Sequence, residues 1–397
     1  MKKFFVDIYR KFKYASVFKK ILTILACILY IAIILLCSIR IEVDKTSPGE
    51  INRVESIIKI DGYESNTPIY SVSVYTYTKV SLLDYLISLV NDKVKIEKVD
   101  HDEDIFTINE WYKIDSCAKE QSIQDAIIAS YSLAKENGLP VTLESEYVGV
   151  RVAYIPSNYY NTGPESLQIG DIVTNVGGVN IVNDEDGTGM EKFRKQMEFY
   201  YNKCKLETGG FDSSVKSPNL GVIRNNEEIM LDNCNIILIA ILAKISQNYG
   251  FDRVNEYYYY DYYNIKYDEC VPKISLSNPT SVGPSAGFIQ ALYIYDALLE
   301  GKLLNEKRII GTGTISIDGT IGKIGGLKQK LITASYYGMN YFFIPKSQEA
   351  DDDIKVLDKL EPRYKTVYVS TLKEAVDFLL EAQNANDWEW KWKENNY

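Results

Sequence analysis

The chain has 397 residues, 46% of them hydrophobic and 25% charged, which fits about two or three folded domains and excludes a miniprotein or a largely disordered chain. A formal net charge of -10 argues against nucleic-acid partners, whose backbones demand concentrated Lys and Arg. His101 is the single histidine, so Ser-His-Asp, Cys-His and HExxH zinc chemistry, each needing a placed imidazole, lose their footing.

Residues 1–20 form a basic leader, with seven Lys or Arg side chains against Asp7. Residues 21–39 carry no charge, and at helical rise they span roughly 28 Å, close to the hydrocarbon core of a bilayer. This predicts a single membrane-spanning helix with the leader cytoplasmic and everything after Arg40 outside. The competing reading is a cleaved signal peptide, against which stand the long leader and the lack of an A-x-A site. Cys27 and Cys37 fall inside the anchor; Cys117, Cys204, Cys234 and Cys270 match no metal spacing, and disulfides and free thiols both stay open.

Residues 40–145 read as a membrane-proximal α/β segment. Period-two alternation over residues 71–78 predicts a strand, and Ser81 with Asp84 predicts a capped helix start. Residues 91–120 look charged and irregular, with the acids of residues 100–104 a solvated loop rather than a metal site. A second helix is expected over residues 122–137, with Ala126, Ile127, Tyr131 and Ala134 on one face and Gly138 as its stop.

From Glu146 the texture turns to short strands: residues 147–155, then a hairpin over residues 167–181, then a helix near residues 190–201. The run Leu167-Gln-Ile-Gly170-Asp171-Ile172-Val173, followed by Val176-Gly177-Gly178, resembles the PDZ motif L-x-x-G-D-x-I-x-x-V-N-G. Gly177 stands where Asn is usual, and residues 158–164 replace the usual small-residue turn. The resemblance implies a PDZ-like domain over residues 146–205, binding an extended peptide by strand addition, with backbone amides near Val148 and Gly149 facing a carboxylate. Residues 206–271 are expected to connect and pack with the domain that follows. Within them, residues 235–242 are too short to cross a bilayer and read as buried core, and the tyrosines of residues 257–263 as packing.

Chemistry concentrates later. Gly283-Pro-Ser-Ala-Gly287 precedes Phe288, Ile289, Leu292, Tyr295 and Leu299, the spacing of a core-facing helix, so Ser285 is expected at a helix N-terminus. Unsatisfied N–H groups there, at Gly283 and Ser285, suit a serine nucleophile and its oxyanion, although an inert helix start or an anion site would look the same. Without a usable histidine the base must be a lysine or a carboxylate. In Ile324-Gly-Gly-Leu-Lys-Gln-Lys330, the 3.6-residue period sets Lys330 at the border of the apolar stripe of Leu327, Leu331 and Ala334, while Lys328 points aside. A lysine held against apolar packing has its charged form disfavoured, as a general base requires, unless it snorkels to water.

Residues 272–380 resemble the proteolytic domain of Lon-type serine peptidases. The matching elements are Gly283-Pro-Ser-Ala-Gly287, Gly311-Thr-Gly-Thr-Ile315, Asp318-Gly319, Gly322-x-Ile-Gly-Gly-Leu-Lys-Gln-Lys330 and Phe342-Phe-Ile-Pro345. The resemblance implies Ser285 as nucleophile, Lys330 as general base and Thr312 as the residue that holds the lysine. Val282 stands where cytosolic members carry Asp. Thr371-Leu-Lys-Glu374 opens a final helix to about Leu380, and residues 381–397 are a tail with no reading.

Taken in order, anchor, α/β segment, PDZ-like module and Lon-like domain resemble the membrane-anchored PDZ-Lon proteases of Gram-positive bacteria. The fold class expected is α+β. The implied activity is an extracytoplasmic, ATP-independent serine endopeptidase acting on peptides or unfolded protein, without cofactor, metal or nucleic acid; no G-x-x-x-x-G-K-[ST] loop occurs. Homo-oligomer formation stays open. The rival readings are a non-catalytic surface protein that binds peptides at the PDZ-like edge and a carbohydrate-binding wall protein using the tyrosines.

Overall fold

A computed structural model describes residues 9–10, 12–64, 68–99, 108–155, 165–185, 187–204, 212, 215, 218–232, 259–277, 283–304 and 307–384. The readings of His101, of residues 100–104, 158–164 and 235–242, and of Cys234, Val282 and residues 385–397 lie outside the described residues. So do Tyr257, Tyr258 and the side chain of Cys204.

The described chain opens with helix α1 (Val17–Ser38), strands β1 (Val43–Arg53), β2 (Ile58–Ile60) and β3 (Ile69–Tyr77), helix α2 (Leu82–Ser88) and strand β4 (Lys95–Lys98). Helix α3 (Ile108–Glu136), strands β5 (Ser145–Val152), β6 (Ile172–Val176) and β7 (Val179–Asn180), and helix α4 (Gly189–Cys204) follow. Next are strands β8 (Leu220–Arg224), β9 (Glu227–Leu231), β10 (Tyr259–Ile265) and β11 (Ile274–Leu276), and helix α5 (Gly287–Leu298). Strands β12 (Ile309–Gly311), β13 (Thr314–Ile315) and β14 (Ile321–Gly322) lead to helix α6 (Leu327–Ser335). Strands β15 (Tyr341–Pro345) and β16 (Lys365–Val369) and helix α7 (Leu372–Asn384) end the described part. Two compact units result: residues 1–48 with 74–100, and residues 49–73 with 101–397.

In the first unit α1 buries none of its residues, and its composition and length suffice to cross a membrane. The start of β1 pairs antiparallel with β4, Val43 opposite Lys98 and Thr46 opposite Lys95. Ser81 accepts from the Asp84 N–H at 3.2 Å, the capping contact its sequence announces.

The second unit has two cores. One surrounds a sheet of order β16-β15-β12-β3-β1, parallel from β16 to β3, with Ile309 opposite Tyr341 on one side and Ile69 on the other. Side-chain alternation splits it: Ile309, Tyr341 and Phe343 face α5 and α7, whereas Ile310, Phe342 and Ile344 face α6. A strand covered on both faces reads as the unbroken apolar run Tyr341-Phe-Phe-Ile-Pro345 rather than an alternating one. Helix α3 lies along α5, where Ser130 Oγ donates to Ala291 O at 2.9 Å between Ala126, Ile127 and Leu292. Strand β3, from the segment over residues 40–145, therefore belongs to the same sheet as β12.

The other core is antiparallel, order β10-β5-β6-β8-β9, with Val150, Val173 and Val222 packed beneath Phe193 and Met197 of α4. Gly177 and Gly178 make the β6–β7 turn at φ 58° and 91°, left-handed values that glycine adopts without strain. Buried Asp171 receives both Nε and a terminal nitrogen of Arg224, at 2.8 and 2.7 Å. Strands β8, β9 and β10 come from the region read as a connector; they complete this sheet, and at the end of β10, from Tyr263 and Ile265, the chain enters the parallel-sheet core. Helix α3 begins at Ile108 rather than near Ser122: Ile114 and Cys117 pack on the antiparallel sheet, but the charges around them hide the period. Cys117 and Cys270 are free thiols.

Candidate active site

Ser285 lies two residues before α5, whose first helical residue is Gly287 and whose N-cap is Ala286, so it precedes the helix rather than sitting in its first turn. Three bonds fix its loop. Pro284 O accepts from Ser122 Oγ at 2.8 Å, and Ser285 O accepts from the Gly313 N–H at 2.8 Å and Thr312 Oγ1 at 3.0 Å. Among the described residues neither the Ser285 nor the Ala286 N–H has a protein acceptor, which leaves two donors beside the hydroxyl for a developing oxyanion. Gly283, in the left-handed region at φ 89°, turns the chain into this loop. A Cβ at Gly287 would overlap the Ser122 hydroxyl and come within 2.8 Å of Ile315 Cγ2, so this glycine serves the approach of α3 to the loop.

Lys330, on α6, is only 2% exposed. Its Nζ lies 2.8 Å from Ser285 Oγ and 3.0 Å from Thr312 Oγ1. Lys328 is half-buried, its backbone N–H donating to Asp353 Oδ2 at 3.3 Å. Burial alone pulls the Lys330 amine from the usual 10.5 down to about 7, because the low-dielectric surroundings disfavour the ammonium. Fully buried Thr312 has one hydroxyl hydrogen, and Ser285 O receives it. Toward Lys330 it can therefore only accept. A neutral amine that gives one N–H to Thr312 turns its lone pair toward Ser285, where the serine hydroxyl then donates; this is the arrangement a base needs.

Val148 and Gly149, expected to meet a peptide carboxylate, lie on β5, where Gly149 stands opposite Tyr262 of β10, Val148 falls at the bulge of that pairing, and β6 pairs further along at Val150 and Arg151. The outer edge of β10 is occupied in turn. Gln121 Nε2 donates to Asp261 O at 3.0 Å, Gln124 Oε1 accepts from the Tyr263 N–H at 3.0 Å, and Gln124 Nε2 donates to Tyr263 O. The tyrosines of this strand pack inward, Tyr259 against Phe193 and Tyr262 beneath Arg151.

Sequence reasoning passed over Ser122, Gln121 and Gln124, which tie α3 to the serine loop and to β10. The signal available was polar residues falling on or beside the stripe of Ala126, Ile127 and Ala134, where a helix has only backbone to bond.

Residues 260–382 match the sequence model of the Lon protease (S16) C-terminal proteolytic domain. The chain is 34% identical over 99 residues to Lon protease of Finegoldia magna, which covers 25% of this chain and 12% of that protein. To Lon protease of Metamycoplasma arthritidis it is 33% identical over 179 residues, or 45% of this chain and 20% of the relative. To that of Clostridioides difficile it is 35% identical over 99 residues, or 25% and 12%. The chain thus spans between 12% and 20% of the length of these relatives. A Lon-type proteolytic domain implies a serine peptidase and, with it, peptide or protein substrates.

Proposed function

We propose that the protein is a membrane-anchored serine endopeptidase that cleaves extracytoplasmic peptides or unfolded protein segments without ATP. Ser285 is the nucleophile, Lys330 the general base, Thr312 the residue that positions the lysine, and α1 the anchor, with the N-terminus cytoplasmic. One observation carries this: a buried lysine with no acidic partner among the described residues lies 2.8 Å from a serine hydroxyl, and burial sets its proton affinity near neutrality.

In the proposed sequence the neutral amine of Lys330 takes the Ser285 proton as Oγ bonds to the scissile carbonyl carbon. The oxyanion settles against the Ser285 and Ala286 N–H groups, with Gly283 shaping their approach. The ammonium then gives its proton to the leaving amine. Water, deprotonated by the same lysine, attacks the ester and frees Ser285. Thr312 takes no proton; it keeps the lone pair aimed.

Against the rival, a non-catalytic peptide-binding protein, speaks the occupation of the β5 edge by β10. Full-length protein in micelles should hydrolyse a quenched fluorescent peptide library without nucleotide and react with a serine-directed phosphonate. Ser285→Ala should lose both activities and Lys330→Ala the hydrolysis, while Lys328→Ala should keep most of it. Hydrolysis that survives in Lys330→Ala but not in Lys328→Ala overturns the assignment.

A further inference from the structure

The end of helix α2 and the two residues that follow it turn apolar side chains outward. Its start is half-buried from Ser81 to Tyr85, where Asp84 pairs with Lys45 at 2.7 Å and Ser81 caps the first turn, and Ser88 alone is buried. Leu86 is 45% exposed and Ile87 56%, and just past the end of the helix Leu89 is 58% and Val90 88% exposed. Single exposed apolar side chains are ordinary, but four within five residues form a contiguous patch that needs a partner.

The position of the patch identifies the partner. The Leu82 N–H donates to Ile39 O at 2.8 Å and the Ile41 N–H to Val80 O at 3.1 Å, so α2 starts against the end of α1. Helix α1 exposes apolar side chains on every side, Ile34 at 45% and Leu35 at 56% among them, and Ile39 just past its end is 46% exposed. If α1 crosses a bilayer, its last turn leaves the hydrocarbon where Arg40 stands exposed, a position at which basic side chains meet headgroups. A short helix held at that depth with its apolar face outward has acyl chains and headgroups as its nearest medium. The usual geometry of interfacial helices buries such a face about 5–10 Å into that boundary.

We propose that Leu86, Ile87, Leu89 and Val90 insert into the outer surface of the bilayer as a second, interfacial attachment beside α1. The inference rests on the anchor reading of α1, and the test separates the two. Full-length protein is reconstituted into phosphatidylcholine–phosphatidylglycerol vesicles containing a phosphatidylcholine with a photoactivatable diazirine acyl chain, irradiated, and mapped for lipid adducts by peptide mass spectrometry. Adducts are expected on residues 86–90 as well as on α1, and Leu89→Glu combined with Val90→Glu should lose the former and keep the latter. Adducts on α1 alone in the unsubstituted protein overturn the interfacial helix and leave the anchor standing. Adducts on neither segment overturn both. Crosslinks joining residues 86–90 of two copies, in place of lipid adducts, overturn the proposal and make the face a contact between copies.

Discussion

If Lys330 acts as the base, one amine governs both the acid limb of activity and a pH-dependent part of stability. With its pKa lowered from 10.5 to about 7, it is about half neutral at pH 7; left at 10.5 it would be neutral in only about 0.03% of molecules. Lowering the pH from 7 to 5 should therefore cut kcat/KM by about 50-fold, with a plateau above about pH 8. The same depression disfavours the buried ammonium by roughly 5 kcal/mol, an upper bound because Ser285 and Thr312 still bond it. Since the folded pKa lies below the unfolded one, the unfolded chain binds more protons between about pH 7 and 10.5, and stability rises with pH through that window and is flat on either side of it. Lys330→Met should thus be inactive yet melt higher than the parent at pH 6, with the difference fading by about pH 10.5. Initial rates on a fluorogenic peptide from pH 5 to 9, and thermal unfolding of both proteins in micelles at pH 6 and pH 10, make the comparison. A rate profile flat from pH 5 to 8, or a Lys330→Met that melts below the parent at pH 6, would refute the reasoning.

Thr312→Val removes the acceptor that orients Lys330 and should lower kcat about 10- to 100-fold at nearly constant KM, with Thr312→Ser restoring most of it in steady-state kinetics. Gln290 is fully buried on α5, and among the described residues neither of its side-chain polar atoms has a partner, so Gln290→Met should stabilise by about 1–3 kcal/mol, read as a higher melting temperature; a lower one would mean that a water serves the amide. Asp171→Ala removes the carboxylate from the largely buried guanidinium of Arg224, leaving it Ser166 O, and should cost about 3 kcal/mol in urea unfolding. At Gly149→Ala the new Cβ would overlap the Val173 carbonyl oxygen of the paired strand, so soluble yield should collapse; a folded variant with weakened peptide binding would instead favour the carboxylate-binding role.

The elements that could be read were those whose pattern has one cause. Helix α5 has a purely apolar stripe, and α2 carries its own cap, so both sit within about two residues of where spacing places them. Helix α3 failed at its first half because it serves two cores in succession: Ile114 and Cys117 pack on the antiparallel sheet, whereas Ile123, Ala126 and Ile127 pack along α5. No single stripe runs its length. What covers β5 was out of reach of local spacing for a different reason. Strand pairing between β5 and β10 joins residues more than a hundred positions apart, and local spacing holds no trace of it.

Why the three side chains of the candidate site meet follows from the sheet rather than from any one motif. Helices α5 and α6 cover opposite faces, so a serine before one and a lysine on the other are separated by the thickness of the sheet, except beyond the end of a strand. Strand β12 ends at Gly311, short of β15 on the same register, and the residue after it is Thr312. Alternation puts Ile310 and Thr312 on the α6 side and Gly311 on the α5 side, where a Cβ would press to 2.7 Å from Ile289. Glycine thus lets α5 come down onto the strand end while threonine turns its hydroxyl toward Lys330 and Ser285 O. The helical wheel could pick Lys330 over Lys328, but only the parallel register of β12 between β3 and β15 brings its amine to the serine.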